Sequence, residues 1–463
     1  MTTSPPLKRN LGVAAVAAIV VGNMLGSGIF FTPGELAAVA QHPWQVHFIW
    51  ALSGLITLCA ALTLAELCAR LPQAGATYHI ISEAFGPLWG FMLVWLELWV
   101  TGPGAIASSA VALGEFLHRF VDVLPGVSPV GWGSAAIVFF ALINLAGVQW
   151  GGRTQILLTT VKVLGIAGLV VGGLFLAAPA AAAPFPADAS AESGLLAFIR
   201  FTGLGIAAVL FTYDGWIDVT NVAGEVRRPA RDLPLGLGLG VAALTVLYLV
   251  VNVVFLRVVP LTEMRAAPAL VATTVATASF GARGGALLNG LMTISIFGAL
   301  GGLVMTQPRL FYTLAAQYAG ASTGVLRRFF SLLAHVSPRT SAPTGSILFT
   351  TAASLAALWF FGSFSRLVNF STVPLQVAVI FMVGAIFPLR KRYPDTSGYR
   401  TPGYPVTPVI FMVVMTGFVV SAIVFRPTEP LIGMALGATG GIVYWRLAKA
   451  RAAIAQAAGH DRE

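Results

Sequence analysis

The sequence predicts an all-α integral membrane protein of twelve transmembrane helices, arranged as a five-plus-five inverted repeat in which the first and sixth helices are discontinuous. Three observations predict it. Of 463 residues, 57% are hydrophobic and 10% charged, against about 25% charged in a soluble domain, and mean hydropathy is +0.85. Apolar runs of about 20 residues, the length that crosses about 30 Å of hydrocarbon, recur along the chain. Two of these runs are interrupted near their middles, by Gly26-Ser27-Gly28 and by Tyr213-Asp214-Gly215-Trp216. A broken span frees backbone N–H and C=O groups that lipid cannot satisfy, so it persists only where protein, water or a ligand takes those bonds. Matching breaks in the first helix of each half point to the substrate site of an inverted-repeat carrier.

The spans fall at 12–39, 46–69, 87–117, 130–148, 155–178, 199–222, 234–258, 284–306, 345–361, 367–389, 406–425 and 430–447. Before the first stand Lys8 and Arg9 without a small-residue cleavage pattern, so no removable signal peptide is expected. The second holds Cys59, Cys68 and, near its end, Glu66; the cysteines read as packing residues, and no disulfide-linked subunit is expected because no cysteine falls in an outward loop. A punctuated connection, Arg70-Leu71-Pro72-Gln73-Ala74-Gly75, follows. Glu66 and, in the third span, Glu97 read as structural, paired within the bundle or reaching the interface. After the fifth comes a low-complexity linker, Ala177 to Pro186, which divides the chain into two five-helix halves. The sixth is followed by Glu225, Arg227, Arg228, Pro229, Arg231 and Pro234, read as an inner-gate or loop-ordering network. The domain organisation is therefore 1–178 for the N-terminal tail and first repeat, 179–198 for an outward loop and 199–390 for the second repeat. Residues 391–447 supply a cytoplasmic loop and helices eleven and twelve, and 448–463 a cytoplasmic tail.

The net charge of +10 does not point to nucleic acid, because the basic residues follow topology. Nineteen of the 27, including Arg70, Arg153, Arg227, Arg309, Arg327, Arg390 and Lys449, fall in segments that face one side when both termini do. That bias puts both termini in the cytoplasm of a multi-pass protein of the inner, cytoplasmic membrane.

At the first break the glycines permit unwinding and leave the N–H groups of Gly26, Ser27, Gly28 and Ile29 as anion donors at the positive end of the next half-helix, where a substrate carboxylate would bind. The alternative is a small-residue packing face. At the second break an Asp sits in an apolar run, at a cost of about 2.5–3.5 kcal/mol even on the lenient insertion scale, so it should face a cavity or a partner. The carbonyls of Phe211, Thr212 and Asp214 would accept from an ammonium group. Together, carboxylate donors and ammonium acceptors describe an amino acid backbone. The Asp214 side chain has three open readings: a cationic substrate group, a donor on the sixth helix, or a cap on the second half-helix through Ile217 or Asp218 N–H.

Gly-Ser-Gly-Ile-Phe at 26–30, Tyr-Asp-Gly-Trp at 213–216, Glu225 with Arg228-Pro229, and Pro308-Arg309-Leu310-Phe311-Tyr312 after the eighth helix resemble the amino acid/polyamine/organocation superfamily, and the whole is similar to bacterial L-type amino acid transporters. The resemblance implies a LeuT-like fold, alternating access and backbone recognition at the residues above. Tyr213 and Trp216 become gate or side-chain-pocket residues, their other reading being aromatic packing. In related carriers a lysine on the fifth helix replaces a sodium ion, so the resemblance implies that Lys162 reaches the carbonyl of Gly22 or Leu25 and a polar group near Ser295. A lysine that cycles protons gives proton symport, and one that stays charged permits exchange; the other reading is snorkelling toward the cytoplasm.

Six scattered histidines form no metal motif, no phosphate-binding loop occurs, and no nucleophile–base set suggests an enzyme. No cofactor is implied. The expected function is sodium-independent secondary transport of amino acids, by proton symport or exchange, with a membrane amino acid sensor as the alternative.

Overall fold

The computed structural model describes residues 11–26, 28–71, 76–120, 126–146, 151–180, 194–320, 322–340, 342–394 and 398–460. In chain order the helices are α1 (Val13–Met24), α2 (Gly28–Val39), α3 (Pro43–Arg70), α4 (Ala76–Phe85), α5 (Pro87–Leu96), α6 (Gly102–Phe120), α7 (Pro129–Leu145), α8 (Gly151–Phe175) and α9 (Leu195–Leu210). They continue as α10 (Pro229–Val258), α11 (Leu261–Ala266), α12 (Val271–Ala319), α13 (Gly324–Leu333), α14 (Thr344–Phe361), α15 (Phe364–Gly384), α16 (Ile386–Arg392), α17 (Val406–Phe425) and α18 (Thr428–His460). A π-helical turn, Glu97–Thr101, joins α5 to α6, and 3-10 turns cover Phe211–Tyr213, Trp216–Glu225 and Pro268–Leu270. Extended pairing among the described residues is an isolated bridge between Leu11 and Val226.

Eight helices among the described residues are long and apolar enough to cross a membrane, and α1 with α2, bent by 54° at their break, would make a ninth. The chain is thus an all-helical, multi-pass membrane protein. The fourth and fifth expected spans are shorter apolar helices, Pro129–Leu145 and Thr160–Phe175. Hydropathy misplaces some boundaries. Pro308 to Tyr312, expected after the eighth helix, lies inside α12, because Val304, Phe311, Leu314, Ala315 and Tyr318 continue one buried stripe through it. The tail expected to be separate continues α18 to His460, and the expected loops contain α4 and α13.

The chain forms two compact units, each drawn from both halves of the sequence: residues 1–84, 159–295 and 379–421, and residues 85–158, 296–378 and 422–463. In the first, α10 lies along α1 and α3. Small residues set that approach: a Cβ added to Gly236 would stand 2.5 Å from Val16, one on Gly240 2.8 Å from Val20, and one on Gly54 2.5 Å from Thr245. At the C-terminal end of α3 the buried Glu66 accepts from Arg70 Nη2 at 2.8 Å, Arg390 Nη2 at 2.6 Å, and the backbone N–H and hydroxyl of Thr401 at 2.6 and 2.7 Å. The expected structural role of Glu66 is met: two guanidiniums and a loop satisfy a carboxylate that would otherwise be prohibitive to bury.

In the second unit α6 packs on α7 and α14, and α18 packs on α5. Gly440 admits Trp95, whose ring would stand 2.7 Å from an added Cβ, and Trp95 Nε1 donates to Thr439 Oγ1 at 2.9 Å. An ion pair, Arg366 Nε to Glu429 at 2.8 Å, ties α15 to the start of α18.

Candidate substrate site at the two helix breaks

Both breaks lie in the first compact unit, and the structure brings them together. α1 ends in a tight turn: Leu25 has φ −75° and ψ 74°, and Gly26 N–H closes back on the Met24 carbonyl at 2.8 Å, the geometry of an inverse γ-turn. Ser27 lies outside the described residues. α2 then starts at Gly28, so the N–H groups of Gly28 and Ile29 belong to its first turn, where no intrahelical acceptor exists. Both residues are buried.

The second break faces this turn. α9 stops at Leu210, a 3-10 turn carries Phe211 to Tyr213, and Gly215 reverses the chain with φ +105°, a conformation that glycine adopts without strain. A Cβ on Gly215 would stand 2.9 Å from the Asn23 carbonyl, and one on Gly28 would stand 2.5 Å from Thr212 Oγ1. The glycines of each break are therefore the points at which the other break approaches. Of the carbonyl residues, Thr212 is buried and Asp214 half-buried, while nothing is described of the Phe211 side chain.

Polar side chains lock the pair. Thr32 and Thr212 share a hydroxyl hydrogen bond of 2.7 Å. Tyr248, fully buried on α10, lies with its hydroxyl 2.9 Å from the Met24 carbonyl and 3.1 Å from that of Thr212, so one phenol serves the frayed C-terminal ends of both half-helices. Asn23 Nδ2 donates to Asp218 at 3.2 Å, and Thr77 on α4 meets Thr220 at 2.8 Å, fixing the 3-10 segment after the second break. Beyond it, Leu11 N–H donates to the Glu225 carbonyl at 3.0 Å, and Arg228 pairs with the buried Asp232 at 3.6 Å.

Tyr213 is 1% exposed; its hydroxyl donates to the Trp50 carbonyl at 2.9 Å, and its ring packs against Trp50 and Tyr248 with centroids 5.8 and 5.3 Å apart. Trp216 is also buried. Asp214 accepts from Gly215 N–H at 2.9 Å, rather than from the Ile217 or Asp218 N–H that the sequence suggests, because the tight turn puts the adjacent amide within reach first. Lys162 is buried on α8, yet among the described residues no hydrogen bond joins it to Gly22, Leu25 or Ser295, and Ser295 Oγ is itself buried without a partner. Tyr248, Trp50, Thr32 and Asn23 take part in the site without a local sequence signature that marks them out. The nearest to one is Tyr248 with Asn252, one turn apart inside an apolar run.

A family model described as amino acid permease matches residues 11–445. The chain belongs to this family. Among the permease's relatives, the serine/threonine exchanger SteT of Bacillus subtilis is 29% identical over 451 residues, covering 96% of this chain and 98% of that one. The human b(0,+)-type amino acid transporter 1 is 27% identical, over 96% of this chain and 88% of its own. The human cystine/glutamate transporter is also 27% identical, over 95% and 85%. These relatives are transporters and exchangers of amino acids, not enzymes, and the permease is an amino acid transporter in the same sense.

Proposed function

We propose that this permease is a sodium-independent secondary transporter that carries an amino acid across the cytoplasmic membrane by alternating access, with both termini cytoplasmic. The observation that carries the reading is the meeting of the two breaks: Gly28 at the start of α2 lies against Thr212, and Tyr248 bridges the carbonyls of Met24 and Thr212 at the ends of the two half-helices. The N–H groups of Ser27, Gly28 and Ile29 hold the substrate carboxylate; that of Gly26, expected from the sequence to join them, is closed on the Met24 carbonyl by the tight turn instead. The carbonyls of Phe211, Thr212 and Asp214 take the ammonium group. Tyr248 occupies one lone pair on Thr212, and a carbonyl oxygen has two, so the site stays competent. Tyr213 and Trp216 form the wall beside it. Lys162 serves as the fixed or titrating cation of a coupling site with Gly22, Leu25 and Ser295, to none of which it is hydrogen-bonded in this structure.

The two five-helix repeats, 1–178 and 199–390, fit the interleaved compact units, since each unit takes segments from both. Alternating access is then rocking of one bundle against another. Proton symport and amino acid exchange both satisfy the site, and the similarity to a serine/threonine exchanger favours exchange.

Reconstitution in liposomes tests the reading. Uptake of a labelled amino acid that requires internal unlabelled substrate establishes exchange, and accumulation driven by an imposed proton gradient establishes symport. Binding without flux under either condition overturns the transporter reading in favour of a sensor.

A further inference from the structure

Within the first compact unit a groove of about 560 Å³ runs between α8 and α12, and glycines open it. Gly165 and Gly168 on α8 and Gly284 on α12 line it, and a Cβ added at Gly168 would meet nothing within 4 Å. The groove straddles Gly281, where α12 departs from helical geometry with φ +70°, so its two walls come from α8 and from both legs of a bent helix. Leu164 and Leu287, lining it, are 64% and 66% exposed, so the groove opens onto the apolar exterior of the protein.

Apolar walls alone select nothing here. A hydrocarbon tail leaving the bilayer for the groove exchanges one apolar surface for another, so burial supplies little preference. The single charged lining residue therefore decides. Arg283 is exposed and, among the described residues, has no ion pair or hydrogen bond. Its position beside the start of the eighth expected span, 284–306, puts the guanidinium at headgroup depth, where a basic side chain belongs. The planar fork of N–H donors matches a phosphate, and no described carboxylate competes for it.

We propose that this groove binds an anionic phospholipid, one acyl chain lying over Gly165 and Gly168 and the phosphate on Arg283. The charge excess on the headgroup sets the identity, because the tail is common to every phospholipid. One basic residue at the surface corresponds to about fivefold enrichment, that is about 1 kcal/mol.

The test is native mass spectrometry of the full-length protein purified from mixed micelles containing equal phosphatidylglycerol and phosphatidylcholine. The wild type should retain phosphatidylglycerol about fivefold over phosphatidylcholine. Arg283→Gln should bring the ratio near one, and Gly168→Leu, which fills open space and replaces a helical glycine, should lower retention of both lipids. An unchanged ratio in Arg283→Gln overturns the headgroup assignment. Equal retention of the two lipids by the wild type makes the occupant a zwitterionic lipid as readily and likewise sinks the proposal. Full retention in Gly168→Leu shows that the tail lies elsewhere. Elution of each variant at the wild-type size-exclusion volume separates these results from misfolding.

Discussion

Gly28 lies against Thr212 so closely that a single added carbon would stand 2.5 Å from the threonine hydroxyl and 3.0 Å from its Cβ. The start of one half-helix and the end of another thus share a contact that only hydrogen permits. Gly28→Ala should overpack it, at about 1–3 kcal/mol, and because the strain falls on the proposed carboxylate donors, initial uptake should drop about tenfold or more, the equivalent of about 1.4 kcal/mol. Thr212→Ala removes the hydroxyl and methyl, so the double variant should regain part of the uptake. A double variant no better than Gly28→Ala would show that the glycine matters for another reason.

Tyr248 supplies one phenol to two carbonyls. Tyr248→Phe keeps the ring against Trp50 and Tyr213 and removes only the oxygen. Met24 retains the Gly26 N–H, while Thr212 loses a donor inside the protein. Stability should fall by about 1–3 kcal/mol, the usual cost of leaving a buried polar group unpaired, read as a lower midpoint of thermal unfolding in detergent. An unchanged midpoint would mean that water takes the place of the hydroxyl.

The breaks are legible in the sequence because Gly26, Gly28 and Asp214-Gly215 contradict the apolar helices around them. Tyr248 is not legible in that way. Its ring suits the apolar run, and the Met24 carbonyl that it serves lies 224 residues away, a pairing that only tertiary structure creates. Hydropathy also merges what dihedral angles separate: α9 gives way to 3-10 turns at Phe211, and the third span contains the π-helical turn at Glu97–Thr101. Conversely α4 and α13 carry too little apolar length to register as spans, although each buries a few residues. The carboxylate of Glu66 reads as paired, but its partners Arg390 and Thr401 are more than 300 residues away, and no local pattern names them.

Outside the spans, Glu83 on α4 accepts from the Tyr393 hydroxyl at 2.7 Å and from Arg392 Nη1 at 3.0 Å, and these bonds hold its carboxyl below the usual range. A folded-state pKa below the unfolded value of about 4.3 makes the contact stabilising above that pH and lost as pH falls through the lower folded value. The site is exposed, so the global effect should be small. Amide exchange in the 390–394 segment should therefore quicken in the wild type below about pH 4, beyond the intrinsic pH trend. In Glu83→Gln the segment should be faster already at pH 7 and show no further change. Parallel wild-type and variant profiles across that window would remove Glu83 from the account.

Lys162 carries the sharpest conflict between stability and function. A lysine buried at membrane depth costs about 2.5–3.5 kcal/mol on the insertion scale, and among the described residues no side chain or carbonyl hydrogen-bonds Lys162 to offset that cost. A methionine of similar length should relieve it, so Lys162→Met should unfold at a higher temperature than the wild type. If the amine serves coupling, the same variant should lose most of its uptake, whichever gradient or counter-substrate drives the wild type, and any pH dependence of transport should vanish with it. A more stable protein with unchanged transport would make Lys162 a packing residue. A less stable one would show that the amine has a partner that forms only in the membrane, and the coupling role would then have to be sought in the residue that pairs with it.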